Sequence, residues 1–280
     1  MRFLVLLSIL FLQAMSLFGK DCRIYKDIHY AGKSEKPADD PKQTLDVYVP
    51  QDKIKTKEVV VFIHGGSWNS GRKDTYRFLG RGFASKGIIT VIINYRLTPE
   101  VNYLPMAMDC ALAVKWVYEH ITEYDGDPNK IMVAGHSAGG HLAALISNDP
   151  YFWASLKMKN PIKGCVLIDA FGLNMYTYFP TSHYKDDFSF KKTFSSNPGT
   201  WKKASPVYYL DASSPPQIIF IGSKTFPSIK EQGRLYYETA NQIGIKTEYE
   251  VIAGKRHIGM ISQFIHKNNS IYKTIIEFMR

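Results

Sequence analysis

The sequence predicts an α/β protein, a single doubly wound domain on a mostly parallel sheet of eight strands. Three observations predict it. Short apolar runs rich in Val and Ile alternate with segments of helical period, the pattern of a sheet covered on both faces. The chain has 280 residues, of which 45% are hydrophobic and 14% aromatic, enough to bury one large core. The alternation is interrupted once, over residues 171–210.

The elements follow in order. IYKDIHY (24–30) and TLDVYVP (44–50) read as the first two strands, and EVVVFIH (58–64) as the third. A helical period over 75–86 leads to the strand IITVIINYR (88–96), and a second over 103–121 leads to KIMVAG (130–135). A helix over 138–147 separates KIMVAG from KGCVLIDA (163–170). The last strands are QIIFIGS (217–223) and KTEYEVI (246–252), with helices over 227–243 and 258–278. The interruption at 171–210 carries Tyr176, Tyr178, Phe179, Tyr184, Phe188, Phe190, Phe194 and Trp201 with three prolines. So long a connection in a compact domain is functional or disordered, and its aromatic content argues against disorder. A small cap over the carboxyl ends of the strands is expected.

Charge is lopsided, with 35 Lys and Arg against 25 Asp and Glu, a formal +10. The basic residues are scattered, with no long Arg run and no aromatic-interleaved basic helix, so nucleic acid is not expected as a partner. The N-terminus MRFLVLLSILFLQAMSLFG has one Arg, an apolar run from Phe3 to Leu12 and small residues at Ala14, Ser16 and Gly19. That is the layout of a secretory signal peptide over residues 1–19, leaving a domain over 20–280 that is secreted or periplasmic. The rival reading, an uncleaved membrane anchor, is disfavoured because the apolar run falls short of the ~20 residues a span needs. No stable membrane partner is expected after cleavage. Cys110 and Cys165 fall in apolar patterns and read as buried thiols, with a disulfide involving Cys22 as the alternative. No CxxC or HExxH motif is present, and neither a metal nor a cofactor is expected.

Three motifs carry chemistry. GHSAGG, Gly135 to Gly140, lies between a strand and a helix. A serine at so abrupt a turn is lifted above the sheet, and the residues two before and two after it must be very small. The turn also places the Ala138 amide at a helix N-terminus, facing a developing negative oxygen. HGGSW, His64 to Trp68, directly follows a strand, and its glycines let the backbone turn. Gly65, Gly66 and Ser67 are therefore candidates for the rest of an oxyanion hole, the amides of Gly66 and Ser67 foremost. His64 is expected to orient this loop. Of the eight histidines, His257 alone follows the last strand in a Gly-rich loop, at the sheet edge of Ser137, where it can accept the serine proton. His136 and His141 flank Ser137 and are assigned to packing, and His266 is placed inside the last helix.

With these motifs, and with NYRLTPE (94–100) and DPNKIMVAGHSAGGHLAAL (127–145), the chain resembles α/β-hydrolases of the HGG-type esterase group. That group includes hormone-sensitive-lipase-like esterases, arylformamidases and secreted carbohydrate esterases. The resemblance covers roughly residues 40 to 265 and is weakest in the cap. It implies the α/β-hydrolase fold, a Ser, acid, His triad in that chain order, metal-free acyl transfer and a cap that shapes the substrate pocket. In that group the acid sits a few residues past the seventh strand, in a pattern like Gly-x-x-Asp. Laid on Gly222-Ser223-Lys224-Thr225, the acid position is Thr225, which cannot supply a charge. Among the other carboxylates, Asp211 precedes the seventh strand, Glu248 and Glu250 lie inside the eighth, and Glu231 is a turn into the following helix. Asp169, at the carboxyl end of the sixth strand, is the leading candidate for the acid, with anchoring of the cap as its alternative role.

These readings lead to a secreted serine hydrolase of carboxylic esters, acting on a small-molecule or carbohydrate ester through Ser137 and His257. An arylformamidase remains the alternative enzyme, since the same machinery serves it. Because of Thr225, a catalytically weakened homologue that binds a ligand under its cap is the alternative of another class.

Overall fold

The computed structural model describes residues 22–31, 41–51, 57–182 and 188–280. The predicted leader, residues 1–19, lies outside the described residues. Eight strands form one sheet: β1 Cys22–His29, β2 Thr44–Pro50, β3 Val59–Ile63, β4 Ile89–Ile93, β5 Ile131–His136, β6 Ile162–Ile168, β7 Gln217–Gly222 and β8 Thr247–Ile252. Their spatial order is β1-β2-β4-β3-β5-β6-β7-β8. β2 runs antiparallel to both β1 and β4, and every other pairing is parallel.

The central strands are apolar throughout because both faces are covered. Val59, Val61 and Ile63 of β3 join one buried cluster while Val60 and Phe62 join the other. β5 divides likewise, with Ile131 and Val133 on one side and Met132 and Ala134 on the other. One cluster is closed by α2 (Tyr103–His120), α3 (Ala138–Asn148) and α8 (Pro227–Ile243), which follow β4, β5 and β7. The other is closed by α1 (Arg77–Ala84) and α10 (Ser270–Phe278).

Helix ends follow local chemistry. Asn102 caps α2 by accepting from the Leu104 amide, and α8 runs from Pro227 at its first turn to Gly244 in the left-handed region at φ 88°. A short helix missed in the sequence, α4 (Pro150–Ser155), has the same kind of start, with Asp149 accepting from the Tyr151 amide. The single helix expected over 258–278 is corrected to α9 (His257–Ser262), a 3-10 turn at Gln263–Ile265, and α10. Asn269 starts α10 anew by accepting from the Ile271 amide, so His266 stands at the break and not inside a helix. The helix expected over 75–86 begins with a 3-10 turn at Lys73–Tyr76 before α1.

Among the described residues, the β6–β7 connection contains three short α-helices, α5 (Met175–Tyr178), α6 (Phe188–Phe194) and α7 (Pro198–Lys203). Aromatic packing orders it. Phe179 stacks on Trp201 at 5.0 Å between ring centroids, and Phe194 meets Trp68 edge-on at 4.8 Å. Cys110 and Cys165 are buried free thiols, and Cys22 is buried in β1. Among the described residues, no helix is long and apolar enough to cross a membrane.

The parallel register decides what meets at the carboxyl edge. Ile63 pairs with Gly135, His136 with Ile168, Ile168 with Phe220, and Gly222 with Ile252. The residues just beyond these strands, at 64–68, 137, 169, 223–225 and 257, therefore share one end of the sheet, where α/β folds collect their chemistry.

Candidate active site

Ser137 sits between β5 and α3 with φ 55° and ψ −122°, a conformation a side chain adopts only under strain. Close packing enforces it. A methyl group built on Gly139 would lie 2.1 Å from the Ile63 carbonyl oxygen, and one on Gly135 would lie 2.2 Å from that of Gly139. Ser137 occupies the N-cap position of α3, yet its side chain makes no capping bond. Its Oγ lies instead 2.9 Å from Nε2 of His257, the first residue of α9.

The other imidazole nitrogen meets Asp169. His257 Nδ1 is 2.9 Å from Asp169 Oδ2, and Asp169 is fully buried. A carboxylate accepts, so Nδ1 carries the ring proton and Nε2 turns its lone pair toward the serine hydroxyl. Asp169 stands just past β6 at φ 47°, its own amide donating to the Phe220 carbonyl. Two further donors hold its carboxylate. The Gly222 amide donates to Oδ1 at 2.8 Å, and the Thr225 hydroxyl donates to Oδ2. Thr225, at the position where the resemblance implies an acid, thus supports the carboxylate that approaches from the neighbouring strand. We expect Thr225→Val to lower kcat about tenfold at nearly constant KM, with Thr225→Ser restoring most of it, because the lost donor orients the carboxylate. Steady-state kinetics of the two variants check this.

The loop after β3 lies against the serine. Gly66 (φ 132°), Ser67 (φ 49°) and Trp68 (φ 61°) turn in succession through positive φ, and the Gly66 carbonyl accepts from the amides of Asn69 and Ser70. A side chain at Gly65 would meet the His136 carbonyl oxygen at 2.8 Å and Ser137 Cβ at 3.2 Å. Ala138 begins α3, so its amide is among those left without an intrahelical partner. Of the predicted residues, Gly65 and Ala138 thereby lie against Ser137, and Gly66 and Ser67 follow Gly65 in the same turn.

Several side chains to which the motifs assign no chemistry support this loop. Tyr95 donates from its hydroxyl to the His64 carbonyl at 2.9 Å and stacks on the His64 ring, and the Thr98 amide donates to the Trp68 carbonyl. Both residues belong to NYRLTPE. Arg96 of the same segment holds Asp109 of α2 through a two-pronged pair, Nε to Oδ2 at 2.8 Å and Nη2 to Oδ1 at 2.7 Å. Trp68 donates from Nε1 to His141 Nδ1 at 3.2 Å, and His141 donates from Nε2 to the Ala204 carbonyl at 2.7 Å. One neutral histidine therefore ties the glycine loop, the helix after the serine and the β6–β7 connection together. Burial lowers the His64 and His141 pKa values to about 4. His136 is lowered to about 3, by burial first and then by the charge of His257. Among the described residues, no three His, Cys, Asp or Glu side chains cluster as a metal site would require.

The sheet order, the strained turn at Ser137 and the residues gathered at the carboxyl edge define an α/β-hydrolase. The chain belongs to the BD-FAE family, whose model matches residues 45–230, a span that includes Ser137 and Asp169 and ends before His257. Among curated proteins, a probable isoprenylcysteine alpha-carbonyl methylesterase of Arabidopsis thaliana is 27% identical over 255 residues, covering 84% of this chain and 52% of that protein. Esterase LipC of Mycobacterium tuberculosis is 30% identical over 212 residues, covering 71% of this chain and 52% of LipC. The chain spans about half the length of these two relatives. A truncated carbohydrate esterase from gut microbiota superposes with a TM-score of 0.78 at 18% identity, over 93% of this chain and 97% of that one. The resemblance to the α/β-hydrolase esterase group read from HGGSW and GHSAGG is borne out.

Proposed function

We propose that the chain is a serine hydrolase of carboxylic esters. The observation that carries the reading is the unbroken sequence of contacts from Ser137 Oγ to His257 Nε2 and from His257 Nδ1 to Asp169, each 2.9 Å. Esterase names among its relatives support it.

In this reading Ser137 Oγ attacks the acyl carbon while its proton passes to His257 Nε2. The charge that develops on the carbonyl oxygen is met by amides of the 65–67 loop and by that of Ala138, with Gly66 and Ser67 the principal loop donors. Asp169 holds the imidazole in the required tautomer and stabilises the imidazolium. His257 then returns the proton to the departing alcohol. Water, activated by the same imidazole, attacks the acyl-enzyme and frees the acid, restoring Ser137. The β6–β7 connection is the cap, its aromatic rings walling the substrate side through their contacts with Trp68. The leader-like N-terminus supports export, which favours an ester outside the cytoplasm, on a small molecule or a carbohydrate. The hydrogen bond from Thr225 to Asp169 supports the hydrolase reading over a weakened, ligand-binding homologue.

The test is a hydrolysis screen across p-nitrophenyl esters, acetylated sugars and an aryl formamide, run on wild type and Ser137→Ala. Ester turnover is expected, and Ser137→Ala should lose it by about 10⁶, the scale seen when a serine protease loses its nucleophile. Turnover of the formamide alone would establish the arylformamidase instead, and ester turnover that survives Ser137→Ala would refute the mechanism.

A further inference from the structure

His136, the residue before Ser137, has no part in the acyl transfer described above, yet it touches two of its components. Its ring stacks on that of His257, with centroids 4.7 Å apart and planes inclined by 30°. Its Nε2 lies 3.2 Å from the backbone carbonyl oxygen of His257, and since a carbonyl only accepts, Nε2 carries the proton. Nδ1 is then a bare acceptor. It is buried without a hydrogen-bond partner and lies toward Gly65, where an added methyl group would stand 3.1 Å from it. The ring therefore fills the space between the glycine loop and the imidazole of His257.

We infer that His136 is a positioning residue for acyl transfer, setting the ring of His257 and the backbone at Gly65 relative to Ser137. The inference rests on the proposed hydrolase function.

The arrangement accounts for a ring of this size and polarity at residue 136. A donor is needed on one edge, for the carbonyl of residue 257, which lies 121 positions away and begins α9. A flat apolar face is needed against the imidazole, so that His257 can rotate little about its side-chain bonds while its two nitrogens face Ser137 and Asp169. The titratable groups that act on His136 are His257, whose charge disfavours a second cation, and Asp169, whose charge favours one. Burial dominates both, so His136 is neutral when His257 takes up the serine proton. A neutral stacked ring leaves that proton uptake unopposed, whereas a cation at this distance would oppose it. A small misplacement of a general base is costly, since transfer depends on reach and alignment.

The test compares His136→Phe, which keeps a flat ring and loses the donor, with His136→Gln, which keeps a donor and loses the ring. In each, kcat should fall at least about tenfold with KM within about twofold of wild type, and the acid limb of the kcat/KM profile should move by about half a pH unit. The two-dimensional NMR titration of the His257 imidazole in the same proteins should show that displacement without any substrate. Thermal melts establish which variants are folded, and one folded variant suffices. If a folded variant retains kcat within about threefold and its His257 titration overlays that of wild type, the positioning role is refuted. Loss of kcat with an unmoved His257 titration would also refute it, since that pattern marks a merely structural side chain. Should the wild type itself turn over no ester, the proposed function fails, and the NMR titration alone decides whether His136 sets the state of His257.

Discussion

Asp169→Asn is expected to lower kcat for an ester substrate by about 10⁴ with little change in KM, the loss recorded for the equivalent change in a serine protease triad. The reason lies in the donors around this side chain. Oδ1 receives the Gly222 amide, which is part of the backbone and cannot turn away. An asparagine must keep its oxygen on that side and point its NH2 group toward Thr225 and His257. The Thr225 hydroxyl can rotate to accept from it. His257 can accept only by moving its proton to Nε2, which then faces the Ser137 hydroxyl with a hydrogen where a lone pair is needed. The fold survives because the shape and two hydrogen bonds are kept, so the defect should be confined to kcat. Steady-state kinetics on a folded variant check it, and a kcat within about threefold of wild type would remove Asp169 from the triad.

A second large effect is expected from mild acid. His64, His136 and His141 are buried as neutral rings, with pKa values lowered to about 4, about 3 and about 4. In the unfolded chain each takes up a proton near pH 6.5. Between that value and about 4 the unfolded state binds protons that the folded state refuses, so stability is fully present above about pH 6.5 and falls as the pH drops through this window. At about 1.4 kcal/mol for each pH unit and each group, the three together remove roughly 8 kcal/mol by pH 4.5. That is comparable with the whole stability of an ordinary domain. Thermal melts should show a flat Tm above about pH 7 and a steep decline below 6, with unfolding near pH 4.5 to 5. A Tm unchanged between pH 7.5 and pH 5 would contradict the buried neutral state of these histidines.

Much of this architecture is legible in the sequence because its signals are local. The run VVVFI is apolar at every position because β3 is covered on both faces, and the serine turn announces itself through the glycines that close packing demands on either side. Asp169 could be singled out by asking which carboxylate lies at the carboxyl end of a strand, since the parallel register turns chain position into position along the sheet. What escaped the sequence is held by contacts between residues distant along the chain. Nothing near Tyr95 indicates that its hydroxyl supports the carbonyl of His64, and nothing near His141 indicates that it joins Trp68 to Ala204. His136 reads as packing because its two neighbours, Gly65 and His257, come from opposite ends of the chain. The break before α10 is hidden in the sequence because the helical period continues across it, while the Asn269 cap that restarts the helix is a single side chain. The role of Thr225 is hidden for a related reason. The pattern Gly-x-x-Thr suggests a vacancy, whereas the carboxylate that meets His257 is Asp169, just past β6 one strand away, and the threonine donates to it.

In the proposed function Ser137, held by His257 and Asp169, is a nucleophile toward acyl-like electrophiles. The most direct measurement is the intact mass of the folded protein after treatment with a fluorophosphonate, followed by peptide mapping. A single adduct on Ser137 is predicted, absent from Ser137→Ala and formed far more slowly in Asp169→Asn. A folded wild-type protein that remains unlabelled, or labels elsewhere, would contradict it.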